Sequence, residues 1–293
     1  MTTSTTTLRG RLGDELFARV AGPRGAQVRE RIHATPGPRW FGPDDAIRRV
    51  HADASMFVGG LTALLLQSWH PLAMAAVAAH SGYRSDPWGR LQRTSTFLAV
   101  TTFGTAEHAQ QAVDAVRRIH DRVSGTTSDG LPYAASDPHL LRWVHVTEAH
   151  AFLTAHQRYG ARPLDAAGCD AYVAQGARVA RALGATDVPE TVAGLRATLD
   201  AYVPELRGTP EAREAAEFLL ARPPVPAAAL PPYRVLSAAA IGLLPRAARA
   251  PLGLPDRAWR DATLADAGGR VVTRLVRWAL ATTPPPPTAD TSR

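Results

Sequence analysis

An apolar run at residues 58 to 79, VGGLTALLLQSWHPLAMAAVAA, restricts the fold of this chain more than any other feature. It is nearly as long as the ~20 apolar residues with which a helix spans a bilayer. Polar residues between Gln67 and His70 interrupt its middle, however, and polar groups exposed to lipid are energetically costly. Proline also disfavours the helical conformation in the residue before it. The run therefore predicts a buried core helix that is kinked or broken before Pro71, and no transmembrane segment.

Helical periodicity extends through the rest of the chain. Apolar residues recur at the spacing of one helix face in residues 166 to 182 and 190 to 199, among other segments. No internal repeat is present, and no alternation of apolar and polar residues is long enough to predict a strand. These patterns predict an all-α fold, a single helical bundle domain at residues 11 to 281. The flanking residues 1 to 10 and the proline-rich residues 282 to 293 are predicted to be disordered.

Three predicted helices carry several of the candidate site residues. Residues 85 to 89 predict a turn, and a helix is expected from residue 90 to about residue 103. Thr105 begins a sequence typical of a helix-capping box, and the helix after it is expected to reach Val123. The dipeptide Asp137-Pro138 has the residue types that favour the start of the third helix.

The charge of the chain is basic but dispersed. The formal net charge is +7, lysine is absent, and the arginines are spread along the sequence without a long basic block. No recognisable nucleic-acid-reading motif accompanies them, so we expect no nucleic-acid partner. A basic surface is equally compatible with an acidic electron-donor protein or an anionic membrane surface.

The cysteine count and the N-terminal residues argue against several classes of protein. The single cysteine, Cys169, excludes an intramolecular disulfide framework and a cysteine-based zinc site, and its neighbours lack the motif of a thiolate haem ligand. The first ten residues contain no apolar core of a secretory signal, so a cytoplasmic location is expected. The sequence also lacks the motifs of serine hydrolases, P-loop proteins and dinucleotide-binding folds.

Histidine is concentrated in one part of the chain. Eight of the ten histidines lie in residues 69 to 156. Neutral imidazole is the commonest side-chain metal ligand, so this distribution indicates a metal or haem centre. His120 shares a predicted helix face with Val113, Val116 and Val123. That setting suits either an axial haem ligand or a core histidine with one backbone partner.

Arg90, Arg93 and Thr94 form a second candidate group near the start of a predicted helix. Arg90 and Thr94 are four residues apart and therefore share one helix face. Arginine binds carboxylates such as a haem propionate, and a threonine hydroxyl can contact bound oxygen; a solvated helix start is the alternative. His70 and His80 are candidate acid–base groups because imidazole titrates near neutrality, although either is also compatible with a structural role.

His145 and Glu148 are three residues apart, a spacing at which both side chains can contact one metal ion, as in di-iron carboxylate bundles. Such a site requires a second Glu-x-x-His helix and further carboxylates, and the sequence contains no partner motif. His145 is therefore expected to line a pocket or to form a hydrogen bond across the core.

A series of short motifs gives these candidates a common context. In chain order they are His70-Pro71, His80-Ser81, Arg90-Leu-Gln-Arg93-Thr94, Phe103-Gly104-Thr105, Ile119-His120, Gly125, Asp129-Gly130, Tyr133, Asp137-Pro138 and Trp143-Val-His145. This order resembles that of the MpaB-type oxygenases, a family that includes the rubber-degrading latex-clearing proteins. The resemblance extends over roughly residues 42 to 281, with its specific motifs between residues 70 and 150.

The resemblance implies a b-type haem in an all-α fold with a partly globin-like haem-binding core. It also implies that His120 is the proximal iron ligand and that Arg90 and Thr94 lie near the haem. Latex-clearing proteins have a lysine at the position of Arg93, and arginine does not replace it as an iron ligand because it stays charged. They also use a glutamate base for which this region has no carboxylate, and His80 is the candidate substitute. The missing glutamate argues against rubber as the substrate, and so does the lack of a secretory signal, since an insoluble polymer requires a secreted enzyme.

Together these features predict a cytoplasmic haem b-dependent oxygenase acting on an apolar small molecule, such as an isoprenoid or a secondary-metabolite intermediate. The expected reaction is oxidative cleavage of a carbon–carbon double bond or hydroxylation, with dioxygen as co-substrate and an electron-donor protein as a further partner. The predicted cofactor-binding residues are His120 (the iron ligand), Arg90, Arg93 and His145, and the predicted catalytic residues are Arg90, Thr94 and His80. The alternatives are a non-catalytic haem- or small-ligand-binding protein and a helical interaction protein without a chromophore.

Overall fold

A computed structural model describes residues 8–254 and 261–281, and within these ranges the chain is predominantly helical. The helices are α1 (Leu8–Ala21), α2 (Gly25–Ala34), α3 (Ala46–His51), α4 (Met56–Gln67), α5 (Pro71–His80), α6 (Pro87–Phe103), α7 (Ala106–His120), α8 (Pro138–Tyr159), α9 (Ala166–Leu183), α10 (Val192–Tyr202), α11 (Pro210–Leu220), α12 (Leu230–Leu243), α13 (Arg246–Arg249) and α14 (Asp266–Leu280). Short 3-10 helices at Val203–Glu205 and Ala227–Ala229, a π-helical turn at Asp261–Ala265, and two strands complete the described elements. The predicted all-α class is confirmed, whereas a globin-like haem core stays a prediction.

The long apolar run is broken where proline predicts the break. Helix α4 ends at Gln67, α5 begins at Pro71, and the two axes are bent by 106°. His70, at the N-cap position of α5, has the extended backbone conformation that a residue before proline favours. Most of α4 is buried, as expected of a core helix. Within the described ranges no single helix is long and apolar enough to cross a membrane, and only the bent α4–α5 pair meets those two criteria jointly.

Helix α8 is the central element of the core. One hydrophobic cluster packs α4 and α12 on one side of α8, and a second packs α3 and α9 on another. The close approach of α4 to α8 depends on Gly59, because a Cβ there would lie 2.8 Å from Cδ1 of Phe152. Trp143, in the N-terminal half of α8, is 1% exposed and donates from Nε1 to the carbonyl oxygen of Gln67 at 3.2 Å. The start of α8 is therefore fixed against the break between α4 and α5.

Side-chain caps set where the helices with candidate site residues begin. Helix α6 starts at Pro87, earlier than predicted, because Asp86 Oδ1 accepts a hydrogen bond from the backbone N–H of Gly89 at 2.9 Å. Thr105 caps α7 as predicted, and its Oγ1 accepts from the N–H of His108 at 3.2 Å. Asp137 caps α8 in the same way.

Helix α7 ends at His120, before the predicted Val123, because the chain enters a short antiparallel hairpin there. Its strands are β1 (Ser124–Thr126) and β2 (Pro132–Ala134), with Gly125 opposite Tyr133. A Cβ on Gly125 would lie 2.5 Å from the Tyr133 hydroxyl, so the ring lies directly over the glycine. Three residues are too few to show an alternating pattern, and for that reason the sequence did not predict these strands.

The described termini pack against each other. Helix α1 begins at Leu8, within residues predicted to be disordered, and it lies against α14. Arg9 donates from Nε to the carbonyl oxygen of Trp278 at 2.8 Å, and its guanidinium lies 5.1 Å from the Trp278 ring centroid. This contact fixes the start of α1 against α14. The predicted disorder of residues 1 to 7 and 282 to 293 lies outside the described residues.

Candidate functional site

Arg90 and His120 lie on two consecutive helices that pack against each other, α6 and α7. Only Gly104 and Thr105 separate the two helices. Arg90 precedes this turn by about as many residues as His120 follows it. At ~1.5 Å per helical residue, both lie roughly 20 Å from the turn along their helices. The fold therefore positions the predicted iron ligand and the predicted carboxylate-binding arginine at matching distances along paired helices.

His120, the last residue of α7, is half-buried. Its Nδ1 atom is buried and has no hydrogen-bond partner in the described part of the chain. Burial lowers the pKa of His120, and Asp121 opposes this effect only in part. The imidazole is therefore neutral at pH 7 and available to a metal ion. A buried nitrogen without a partner is costly, which favours a ligand that restores a contact for this ring.

Arg90 is half-buried near the start of α6. Burial lowers its pKa, and the nearby Tyr83 opposes the shift. An arginine stays protonated at neutral pH even so. Within the described ranges, no carboxylate or other hydrogen-bond partner contacts its guanidinium. A desolvated cation without a counterion has the chemistry of an anion-binding residue.

Arg93 and Thr94, in contrast, are exposed and already engaged. Arg93 Nη1 forms an ion pair with Oδ2 of Asp86 at 3.1 Å. Thr94 Oγ1 donates to the backbone carbonyl oxygen of Arg90 at 3.1 Å. The structure thus distinguishes Arg90 from the two residues that share its motif, and their predicted roles at a cofactor stay predictions.

His80 ends α5 and lies against the hairpin that follows His120. Its Nε2 is 3.3 Å from the hydroxyl of Tyr133, on strand β2. His80 is exposed. Tyr133 is a partner that the sequence did not reveal, although the resemblance included it among the motifs.

His145 lies between α8 and α9. The space beside it is provided by Gly176, where a Cβ would lie 3.3 Å from Cε1 of His145. Its Nε2 is buried without a hydrogen-bond partner among the described residues, and burial, with a contribution from Arg181, lowers its pKa to about 4. Helix α9 also contacts α7, where Arg117 Nη1 donates to the carbonyl oxygen of Ala182 at 3.1 Å. Helix α9 is therefore the common neighbour of the helices that carry His120 and His145.

Glu148, one helical turn after His145, is a half-buried acid whose surroundings the sequence did not reveal. Burial raises its pKa to about 7, so its carboxyl group is partly protonated at neutral pH. Burial, with a smaller contribution from the charge of Glu148, raises the pKa of Tyr172, whose hydroxyl is 3.4 Å from Nε2 of His51. In the described part of the chain, His145 and Glu148 belong to no group of three His, Cys, Asp or Glu ligand atoms at metal-binding distances. A di-iron site gains no support from this arrangement.

We expect the Glu148→Gln variant to be more stable than the natural protein at pH 8 and equally stable near pH 4. The folded-state pKa of Glu148, about 7, exceeds its ordinary value of 4.5. The stabilisation from the bound proton is therefore complete below the ordinary value and is lost as the pH rises through 7. At 1.36 kcal/mol per pKa unit the difference is roughly 3 kcal/mol at most. Urea denaturation at the two pH values measures it, with the exposed Glu30→Gln as control. Equal stability at pH 8 would contradict the raised pKa.

A second polar cluster, absent from the sequence-based predictions as a unit, joins His70, His139 and Glu205. Their ligand atoms all lie within 4.8 Å of one another. His139 Nε2 is 2.8 Å from Oε2 of Glu205, and His70 Nε2 is 3.4 Å from the same oxygen. Burial lowers the pKa of His70, which outweighs the opposing effect of Glu205. Both histidines stand beside a proline at a helix start, the one local signal that they share. Glu205 is brought in from a distant 3-10 helix by folding.

Comparison with known proteins gives these residues a family context. Residues 48–278 match the domain described as "ER-bound oxygenase mpaB/B'/Rubber oxygenase, catalytic domain", and this match covers most of the chain. An uncharacterised protein of Mycobacterium bovis is 35% identical over 105 residues, which are 36% of this chain and 39% of that protein. An uncharacterised protein of Mycobacterium tuberculosis is also 35% identical over 105 residues, with the same coverage of 36% and 39%. The chain thus covers well under half the length of either relative. No solved structure matches the chain significantly.

Proposed function

The chain belongs to the MpaB and rubber oxygenase catalytic-domain family, and on this basis we propose that it is a haem b-dependent oxygenase of an apolar small molecule. Family membership indicates an oxidoreductase that uses dioxygen. The finer part of the proposal is the haem, the substrate class of isoprenoids or secondary-metabolite intermediates, and an electron-donor protein as partner. The proposed reaction is oxidative cleavage of a carbon–carbon double bond or hydroxylation.

The observation that carries the haem proposal is that α6 and α7 each offer a half-buried side chain, Arg90 and His120, without a side-chain hydrogen-bond partner among the described residues. Haem b combines one iron ion with two carboxylates. His120 offers a neutral imidazole with a buried, unpartnered nitrogen. Arg90 offers a desolvated guanidinium without an anionic partner among the described residues. The residues present therefore fit both chemical features of the group.

In this proposal the protein's own residues bind, orient and move protons. His120 would hold the iron, and Arg90 would bind a propionate carboxylate through a charge-assisted hydrogen bond. The hydroxyl of Thr94 would contact the dioxygen substrate. His80 would transfer a proton, and the hydroxyl of Tyr133, 3.3 Å from its Nε2 atom, would orient the ring. Haem, when bound, supplies the oxidising chemistry, while the protein supplies orientation and a dry pocket.

Arg93 and His145 have supporting parts in the same proposal. Arg93 would bind the second haem propionate only if its ion pair with Asp86 were broken. That ion pair is exposed, and exposed ion pairs contribute little stability. His145, neutral and unpartnered between α8 and α9, lines the cofactor pocket.

The test is an absorption spectrum followed by an oxygen-uptake assay. The full chain, expressed with iron and a haem precursor, is expected to show a Soret band and to consume oxygen with a reductant and an unsaturated lipophilic substrate. A Soret band without oxygen uptake across a panel of such substrates would favour the non-catalytic haem-binding alternative. A colourless protein that also fails to bind added haemin would contradict the haem proposal.

Replacing Arg90 with methionine is expected to weaken haem binding by roughly 10-fold, since a charge-assisted hydrogen bond contributes about 1.5 kcal/mol or more. Methionine keeps most of the side-chain length and removes the charge. Arg93→Met is the matched comparison on the same helix, and its effect should be smaller because Arg93 is exposed and paired with Asp86. Haemin titration measures both affinities. A larger loss for Arg93→Met than for Arg90→Met would contradict the proposed role of Arg90.

A further inference from the structure

We propose that His70, His139 and Glu205 bind one divalent transition-metal ion of the zinc or iron(II) class, at a site separate from the proposed haem site. The cluster comprises two imidazoles and one carboxylate, whose ligand atoms all lie within 4.8 Å of one another. Two histidines with one carboxylate are a ligand set that holds zinc or non-haem iron(II) in other proteins and leaves positions open.

The distances suit a shared ion. Ligand nitrogens and oxygens lie about 2.0–2.2 Å from such an ion. Two ligands at angles of 90° to 110° around it are therefore roughly 3.0–3.4 Å apart. Glu205 Oε2 lies 2.8 Å from Nε2 of His139 and 3.4 Å from Nε2 of His70. Both pairs that include Glu205 are thus close to the separation that coordination requires, and the two histidine ligand atoms lie within 4.8 Å of each other.

Aromatic packing holds the two imidazoles in place. His70 is 1% exposed, and its ring centroid is 5.7 Å from that of Trp143. The His139 ring lies 4.6 Å from the ring of Tyr202, which in turn lies 5.0 Å from Trp143. His70 also retains a buried Nδ1 atom with no hydrogen-bond partner among the described residues. Side chains that are already held in place lose less conformational entropy when they bind a metal ion.

The partners of His139 Nδ1 determine which form of the ring is able to bind the ion. Arg142 Nη2 lies 3.2 Å from this Nδ1. A guanidinium only donates, so in this arrangement Nδ1 accepts and Nε2 carries the proton that points to Glu205. Metal binding at Nε2 requires the other tautomer, in which Nδ1 donates.

Tyr202 offers an acceptor for Nδ1–H in this other tautomer, and Asp187 offers an alternative partner for Arg142. The hydroxyl oxygen of Tyr202 is 3.5 Å from Nδ1 of His139, and the hydroxyl donates its own proton to the His139 carbonyl oxygen at 2.7 Å. One lone pair of this oxygen accepts from Arg142 Nε at 3.0 Å, and the other is available to Nδ1–H. Arg142 is able to withdraw toward Asp187, whose Oδ2 is already 3.4 Å from Nη1. Arg142 therefore favours the tautomer of His139 that is protonated at Nε2, whereas a metal ion favours the tautomer that is protonated at Nδ1.

The cluster is accessible from one side and distant from the proposed haem site. A cavity of about 360 Å³ is lined by His139, Arg142, Tyr202 and Glu205, among others, so water or a small ligand can complete the coordination. His70 precedes α5 and His80 ends it. Ten helical residues correspond to about 15 Å, so the metal ion would not contact the His80 region.

The test is a cobalt(II) titration of the full chain after treatment with a chelator, because cobalt(II) absorbs visibly when histidine and carboxylate bind it. Zinc competition by calorimetry gives the stoichiometry. We expect one ion per chain, and we expect His139→Ala and Glu205→Gln each to weaken binding by at least about 10-fold. Glu205→Gln changes only the charge of a partly exposed side chain. His33→Ala, on α2, serves as the histidine control and should leave binding unchanged.

Arg142→Met separates a metal site from a purely structural hydrogen-bond network. Removing the competing donor and its charge should strengthen cobalt binding, by roughly 10-fold if about 1.4 kcal/mol of repulsion and competition is relieved. Haemin binding, measured on the same variants, should stay unchanged, so that this proposal and the haem proposal are judged independently. The metal proposal is overturned by the absence of a one-to-one complex, by binding that survives both ligand substitutions, or by weaker binding in Arg142→Met.

Discussion

The His120→Ala variant is expected to lose the Soret band or to show it strongly shifted, with haem affinity lower by at least about 100-fold. Substitutions of residues that merely support a metal ligand cost roughly 10- to 100-fold, and loss of the ligand itself should cost more. His120 ends α7 with a neutral imidazole and a buried nitrogen that has no partner in the described residues. Absorption spectra during haemin titration of both proteins measure the effect.

The matched control is His108→Ala on the same helix. His108, like His120, has a buried Nδ1 without a hydrogen-bond partner in the described part of the chain, but it lies in the first turn of α7. Twelve helical residues separate the two histidines, or about 18 Å. The control variant should therefore keep the Soret band. An unchanged spectrum in His120→Ala, or equal loss in both variants, would remove His120 from the role of iron ligand.

The Arg277→Met variant is expected to lose about 3 kcal/mol of stability at neutral pH. Arg277, on α14, contacts both carboxylate oxygens of Asp53 at 3.0 and 3.1 Å and donates to the carbonyl oxygen of Tyr159 at 3.1 Å. The Asp53 side chain is 9% exposed, and removing one partner of a buried ion pair costs roughly 3–5 kcal/mol. The partial exposure of Arg277 favours the lower end of that range. Urea denaturation at pH 7 measures the loss.

This effect should depend on pH in a definite direction. Burial alone raises the pKa of Asp53, but hydrogen bonds from Arg277 and from the backbone of Ser55 and Ala161 outweigh it and lower the pKa. The stabilisation is therefore present above the ordinary aspartate value of about 3.9 and is lost as the pH falls through the lower folded-state value. The difference between Arg277→Met and the natural protein should shrink below about pH 4. Arg274→Met, on the exposed side of α14, is the control, and an equal loss there would contradict the assignment.

The Asp53–Arg277 pair also explains how the last described helix is attached. Asp53 follows α3 and Arg277 lies near the end of α14, so the pair joins residues far apart in the chain. Arg9 of α1 contacts Trp278 on the same helix. Charged residues at such separations carry no mutual signal in a single sequence, and only packing reveals that they meet.

In the candidate site, too, some features were predictable from local sequence and others depend on packing. Residue types and helical spacing identified His120 and Arg90 as candidates, because an imidazole on an apolar helix face and an arginine near a helix start are local features, and their roles at a cofactor stay predictions. The raised pKa of Glu148 was not predictable, since desolvation depends on the helices that pack around the carboxyl group. The cluster at Glu205 was missed because its histidines lie at the starts of two separate helices.

The sequence by itself determined the helical class, the break before Pro71 and the start of α7 and α8, because periodicity, proline and capping residues act over a few neighbouring positions. Tertiary structure alone decided that Arg90 has no counterion among the described residues, and that His70 and His139 meet at Glu205. Those outcomes depend on burial and on contacts between distant segments. Both are properties of the packed chain, and no short stretch of sequence contains them.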